Sequence, residues 1–189
     1  MNPRMTLILA IILAILAGYA YWLSRENNEQ DPVDAQTDRP IYETEYSEYD
    51  VVELEVAGRP GTVHFARTEE TPTQDWARLL PTPLRPGELD QVRVNGAAVR
   101  MAQLTASQLI TNVTDLVQYG LDTPALTVTL TISNGQKITL YAGSETPVGG
   151  NRYLRLAKDP ASVYLVFGFA VDDLRSLIEN PPLAPTPLP

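Results

Sequence analysis

The run LTVTLTISNGQKITLYA, from Leu126 to Ala142, carries the strongest secondary-structure signal in the chain. Apolar residues alternate with threonines up to Ile132, and this period of two predicts a β-strand with one buried face. Ser133-Asn134-Gly135 predicts a hairpin into a second strand over residues 136–142. A three-residue loop with left-handed Gly135 sets Leu130 opposite Ile138, which keeps the apolar residues of both strands on one face. An antiparallel hairpin is therefore expected at the centre of the fold.

Weaker patterns on either side predict the rest of an α+β body. Further strands are expected at 52–56, 62–67, 107–111, 152–157 and 162–167, with a short apolar segment at 76–80. A helix is expected over 88–104, with Leu89, Val92, Gly96 and Val99 on its inner side. A closing helix over 169–179 would bury Val171, Leu174, Leu177 and Ile178, and one helical turn at 115–119 would end at Gly120. The predicted fold is one domain of antiparallel meander and hairpins packed with two or three helices.

The first 23 residues predict a single transmembrane helix. Arg4 precedes an apolar run over residues 5–23, which as a helix spans roughly 28 Å, close to a bilayer core. Acidic residues follow the run, so the positive-inside rule favours a cytoplasmic N-terminus at residues 1–4 and an extracytoplasmic body. Tyr19, Tyr21 and Trp22 are then candidate membrane-interface residues. The alternative is a signal peptide cleaved after Ala20.

Composition separates an acidic linker from the body. The 189-residue chain has a net charge of −9 and no cysteine. Nine acids against three arginines fall in residues 1–50. Residues 24–50 are therefore interpreted as a flexible linker, 51–180 as the domain and 181–189 as a proline-rich tail. The charge opposes nucleic-acid binding, because a nucleic-acid partner needs a basic face.

Two features are candidate contacts for a protein partner. Tyr42, Tyr46 and Tyr49 are spaced as a helical stripe would be, or else they lie along an extended segment leading into the first strand. Pro182 and Pro185 belong to a stiff tail, which is either free or bound along a neighbouring subunit.

Candidates for chemistry are few. His64 is the single histidine, and strand alternation places it on the face opposite Val63 and Phe65. One histidine without cysteine cannot assemble a zinc site, and no nucleophile motif accompanies it. Acids are plentiful, but nothing selects a catalytic pair. We therefore expect no catalytic residues, no metal and no cofactor.

The segment from Tyr119 to Leu126, together with Asn134-Gly135, Gly150, residues 153–156 and residues 163–166, resembles a bacterial family known as domain of unknown function 4340. Trp76 and Leu89-Asp90-Gln91 resemble it more weakly. The resemblance covers roughly residues 50–178. It implies an N-terminal membrane segment and an α+β body of meandering antiparallel strands. It implies no activity and no catalytic residues, and some relatives are encoded near components of ABC transporters.

Three functions follow as hypotheses. The first is a membrane-tethered, non-catalytic interaction protein, an accessory or scaffold subunit of a bacterial membrane or envelope complex. The second is an extracytoplasmic module that binds a glycan or lipid, which an aromatic-lined pocket would favour. The third is an enzyme, which would need two carboxylates converging in a cleft.

Overall fold

A long antiparallel sheet with two helices forms the body of the protein. The computed structural model describes residues 39–47, 49–68 and 75–185, all within the unit that spans residues 38–189. Residues 1–37 are a separate unit, and the predictions for residues 5–23 and for Tyr19, Tyr21 and Trp22 lie outside the described residues.

Ten strands and two α-helices occur in the described residues. The strands are β1 Arg39–Pro40, β2 Val51–Gly58, β3 Gly61–Arg67, β4 Trp76–Leu80, β5 Thr105–Ala106, β6 Gln108–Ile110, β7 Leu126–Ile132, β8 Lys137–Glu145, β9 Asn151–Leu156 and β10 Val163–Phe167. The helices are α1 Gln91–Ala102 and α2 Gly168–Glu179, and short 3-10 turns lie at Pro86–Glu88 and Val117–Tyr119. Eight strands form one sheet in the order β4-β3-β2-β7-β8-β9-β10-β6, and β1 pairs with β5 separately. The predicted α+β class with a large antiparallel sheet is confirmed.

The central hairpin has the predicted register. Leu130 pairs with Ile138 and Val128 with Leu140, and Gly135 has a left-handed φ of 86°. Alternate residues of β7 are buried, so one face of the sheet is apolar. Both helices contribute to the core on this face, where Leu174 and Met101 are almost fully buried. At about 25 cal/mol per Å² of buried apolar surface, this layer is the main source of stability.

The inner side of α1 differs from the prediction. Val94, Ala98 and Met101 face the core, whereas Val92 is 83% exposed and Gly96 has open space beside it. The reason lies at the start of the helix. The Gln91 amide accepts from the Trp76 N–H at 2.7 Å and donates to the Trp76 carbonyl at 2.9 Å. This pairing fixes the rotation of α1, and a helix with valine or alanine on most sides does not specify that rotation by itself.

The body extends beyond the predicted limits at both ends. Ile41 and Tyr42 lie in the core, and β1 pairs with β5, so residues 39–42 do not belong to a free linker. The start of the predicted tail also packs on the domain. The Asp90 N–H donates to the Pro182 carbonyl and the Ala184 N–H to the Glu88 carbonyl, both at 2.9 Å. Strand pairing and backbone contacts between residues distant in sequence determine both corrections.

A second, smaller packing site involves the family-like segment Tyr119-Gly120-Leu121. Leu121 is buried outside the main core, and Gly120 has a left-handed φ of 64°. A Cβ on Gly143 of β8 would overlap the Tyr119 carbonyl oxygen and lie 3.0 Å from Leu121 Cγ. The Tyr119 ring meets the Tyr153 ring edge-on at 4.9 Å. Residues 119–121 therefore lie directly against β8 and β9, which only glycine at position 143 permits.

Candidate functional site

The sheet has a second face, which we call the open face. It consists of three rows of side chains that alternate with the buried residues of β2, β3, β7, β8 and β9. Each row follows the strand order β3, β2, β7, β8 and, for the third row, β9. The first row is Ala66, Glu53, Thr131 and Lys137, and the second is His64, Glu55, Thr129 and Thr139. The third row is Thr62, Ala57, Thr127, Tyr141 and Arg155. Most of these residues are half-buried, as expected on a flat sheet in contact with solvent. The open face is polar and carries charges of both signs.

The Glu53 carboxylate organises one side of the open face. Thr131 Oγ1 donates to Glu53 Oε2 at 2.8 Å, and His64 Nε2 lies 3.8 Å from the same oxygen. A hydrolytic triad needs the histidine between nucleophile and acid. Here the acid lies between the hydroxyl and the imidazole, so the imidazole is not placed to accept the threonine proton. The arrangement holds side chains in place and does not activate a nucleophile.

The other side of the open face is held by a cation–π contact. The Arg155 guanidinium lies 4.8 Å from the centre of the Tyr141 ring, and the Thr129 and Thr139 hydroxyls are 3.5 Å apart. Arg155 Nε is buried without a hydrogen-bond partner among the described residues. Restrained polar and aromatic side chains on rigid strands suit recognition, because little entropy is lost when a partner binds.

The predicted tyrosine contacts have three different environments. Tyr42 is buried and donates its hydroxyl to the Met101 carbonyl at 2.6 Å, and burial raises its pKa above the usual value. Tyr46 is half-buried and packs edge-on against Tyr42 at 5.6 Å. Tyr49 is 67% exposed. The three do not form one stripe, and Tyr42 is not available to a partner.

The two predicted proline contacts also differ. Pro182 is buried against the domain, where its carbonyl accepts the Asp90 N–H, so it is not a surface contact. Pro185 is exposed at the end of the described residues.

A cleft that the sequence did not predict lies at one end of β8 and β9. We call it the tyrosine–lysine cleft. It has a volume of about 380 Å³ and is lined by Tyr42, Tyr46, Gln136, Lys137, Ile138, Thr139, Leu156, Ala157 and Lys158. Tyr46 Oη donates to Gln136 Oε1 at 3.4 Å and closes one side. One sequence signal was present, because Lys137 and Lys158 are the only lysines in the chain.

Two acidic residues of α2 have structural partners. Asp173 pairs with Arg100 at 2.7 Å, and Asp172 pairs with Arg152 at 2.8 Å. These contacts join α2 to α1 and to β9. Within the described part of the chain, no three side chains of the types that bind metals lie close enough to share an ion. No helix in residues 39–47, 49–68 or 75–185 is long and apolar enough to cross a membrane.

The fold and its surfaces define a class: an α+β domain with two helices on one face of an eight-stranded antiparallel sheet and polar side chains on the other. Residues 82–180 match the family described as Domain of unknown function (DUF4340). The match covers just over half of the chain, and the protein belongs to this family. No curated protein and no solved structure is similar enough to be matched.

Proposed function

We propose that this chain is a membrane-tethered, non-catalytic interaction protein, an accessory or scaffold subunit of a bacterial membrane or envelope complex. In this proposal residues 5–23 anchor it in the bilayer with the N-terminus in the cytoplasm, and the domain is extracytoplasmic. The apolar run after Arg4 and the acidic segment that follows it support the tether.

The open face is the observation that carries the proposal. Its rows combine threonine hydroxyls, the Tyr141 ring and opposite charges on five adjacent strands, which is a composition suited to a polar protein partner. The order of Thr131, Glu53 and His64 supports a binding role over a catalytic one. Tyr141 and Arg155 are the expected anchors, since aromatic residues and arginine dominate the energetics of protein interfaces.

The test is purification of the tagged full-length chain from its native membrane in mild detergent. We expect a stable complex larger than the monomer, and Thr129→Arg should release the partner, because the longer side chain protrudes from the middle row of the open face. The matched control is Thr111→Arg, which places the same charge on an exposed residue after β6.

Two results would contradict the proposal. Recovery of the wild-type chain only as a free monomer would rule out the proposal that it is an interaction protein. Retention of the partner by Thr129→Arg, whether or not Thr111→Arg also retains it, would rule out the open face as its site. Thermal unfolding of both variants shows whether any loss of partner reflects a loss of fold.

A further inference from the structure

We infer that the tyrosine–lysine cleft binds the acidic group of an acidic carbohydrate, either a uronate or a sugar phosphate. This site goes beyond the interaction function proposed above. The first argument is the placement of the only two lysines. Lys137 begins β8 and Lys158 follows the end of β9, and Leu140 pairs with Leu156 between them. The register therefore brings both lysines to the same end of the strand pair.

The charge of the two lysines is available to a ligand. Lys137 forms no ion pair with any residue that the structure describes. Lys158 lies 3.6 Å from Glu43, whose side chain is 91% exposed. Such an exposed pair is weak, so an incoming anion can replace the Glu43 carboxylate. Both lysines line the cleft, so it is locally positive in a chain of net charge −9.

The walls of the cleft match a sugar ring. Tyr46 supplies one aromatic wall. It packs edge-on against the buried Tyr42 ring, which the hydrogen bond to Met101 holds in place, so this wall is already formed. Gln136 and Thr139 add polar groups, and the core residues Ile138 and Leu156 form the almost fully buried floor beneath them. A volume of about 380 Å³ falls within the usual range of ligand sites. The cleft therefore offers an aromatic ring for stacking, polar groups for hydrogen bonds and positive charge. An acidic sugar can use all three, whereas an apolar ligand would make no use of the lysines.

The lysines also provide the assay. Reductive methylation with ¹³C-formaldehyde labels Lys137, Lys158 and the chain amino group, and it preserves the positive charge of each. The labelled full chain in detergent micelles is titrated with glucuronate, glucose 6-phosphate, glucose and inorganic phosphate. We expect saturable shifts of both lysine signals with glucuronate or glucose 6-phosphate and none with glucose. The tighter of the two acids identifies the acidic group.

Three variants give the matched comparisons. Lys137→Gln should weaken binding, followed at the Lys158 signal, by about tenfold, the usual effect of losing one charged hydrogen bond. Glu43→Gln should strengthen binding by a few fold, because it removes the competing carboxylate. Arg59→Gln changes the net charge equally at an exposed turn far from the cleft in the fold, and it should leave binding unchanged.

Three outcomes would overturn the inference. They are the absence of saturable shifts with either acid, equal shifts with inorganic phosphate at the same concentration, and equal weakening by Lys137→Gln and Arg59→Gln. The second and third would mean that simple charge attraction is all that the lysines provide. Partner purification is a separate measurement, so failure here leaves the interaction proposal to its own test.

Discussion

Replacement of Gly143 by alanine tests how closely residues 119–121 lie on the sheet. The new Cβ would overlap the Tyr119 carbonyl oxygen and crowd Leu121 Cγ and Cδ2 at 3.0 and 3.1 Å. A backbone oxygen cannot move alone, so the whole segment must shift. Overpacking of this kind costs about 1–3 kcal/mol, and partial exposure of Leu121 costs up to about 2 kcal/mol more. The lower entropy of the unfolded alanine chain offsets about 0.4–1 kcal/mol. We expect a net loss of about 2–3 kcal/mol in the free energy of unfolding.

The matched control is Gly96→Ala. Gly96 lies inside α1, and the position that a methyl group would take there has no neighbouring atom within 4 Å. The same substitution should therefore stabilise the protein by about 1 kcal/mol. The free energy of unfolding is measured by urea denaturation of the full chain in micelles, followed by Trp76 fluorescence in a Trp22→Phe background. Trp76 is 1% exposed and reports on the folded body.

A double substitution makes the test specific to the contact. If Gly143→Ala already displaces Leu121, then Leu121→Ala should cost less in that background than in the wild-type chain. An unfolding free energy for Gly143→Ala within about 0.5 kcal/mol of the wild type would refute the packing described here. Equal costs of Leu121→Ala in both backgrounds would show that the two residues act independently.

Three further predictions concern the core, a helix and the hairpin. Burial raises the pKa of Tyr42, so the tyrosine ionises in the unfolded chain at a lower pH than in the folded one. The contribution of Tyr42 to the free energy of unfolding should therefore be constant below pH 10 and fall above it by about 1.4 kcal/mol per pH unit. Tyr42→Phe should show a shallower fall in denaturation measured between pH 9 and 11, and an unchanged slope would contradict this. Asp90 caps α1 by accepting the Arg93 N–H at 3.2 Å, so Asp90→Ala should cost about 1 kcal/mol in urea denaturation, whereas Asp122→Ala, at an exposed site without a helix, should cost little. Gly135→Ala should cost about 1 kcal/mol because of the left-handed φ of 86°, and a neutral result in the same assay would argue against the three-residue loop.

The elements that depend on neighbouring residues could be predicted from short stretches of the sequence. The hairpin register followed from alternation and the Asn134-Gly135 turn, since a shift of one residue would expose every apolar side chain. The closing helix α2 followed from Val171, Leu174 and Leu177, which are all buried. Gly120 was predicted as the end of a helical turn, and it has a left-handed conformation.

Features that depend on distant residues were not predictable in the same way. The rotation of α1 is set by Gln91 and Trp76, which belong to different elements. The burial of Tyr42 depends on Met101, and that of Pro182 on the backbone of residues 88–90. The tyrosine–lysine cleft combines three separate segments of the chain. Such pairings leave no local pattern in a single sequence, although the scarcity of lysine was visible in it.

The position of β2 in the sheet has a consequence for how the chain reaches its native state. Val56 pairs with Val63 on one side and Val128 on the other, so β2 lies between a local partner and a distant one. During synthesis β2 and β3 can form their hairpin at once, but the other edge of β2 stays unpaired until β7 appears. Non-local pairing of this kind slows folding and leaves an edge open to aggregation. The family match begins at residue 82, after β4, so a fragment cut at that boundary would lack β2 and would leave the matching edge of β7 permanently unpaired.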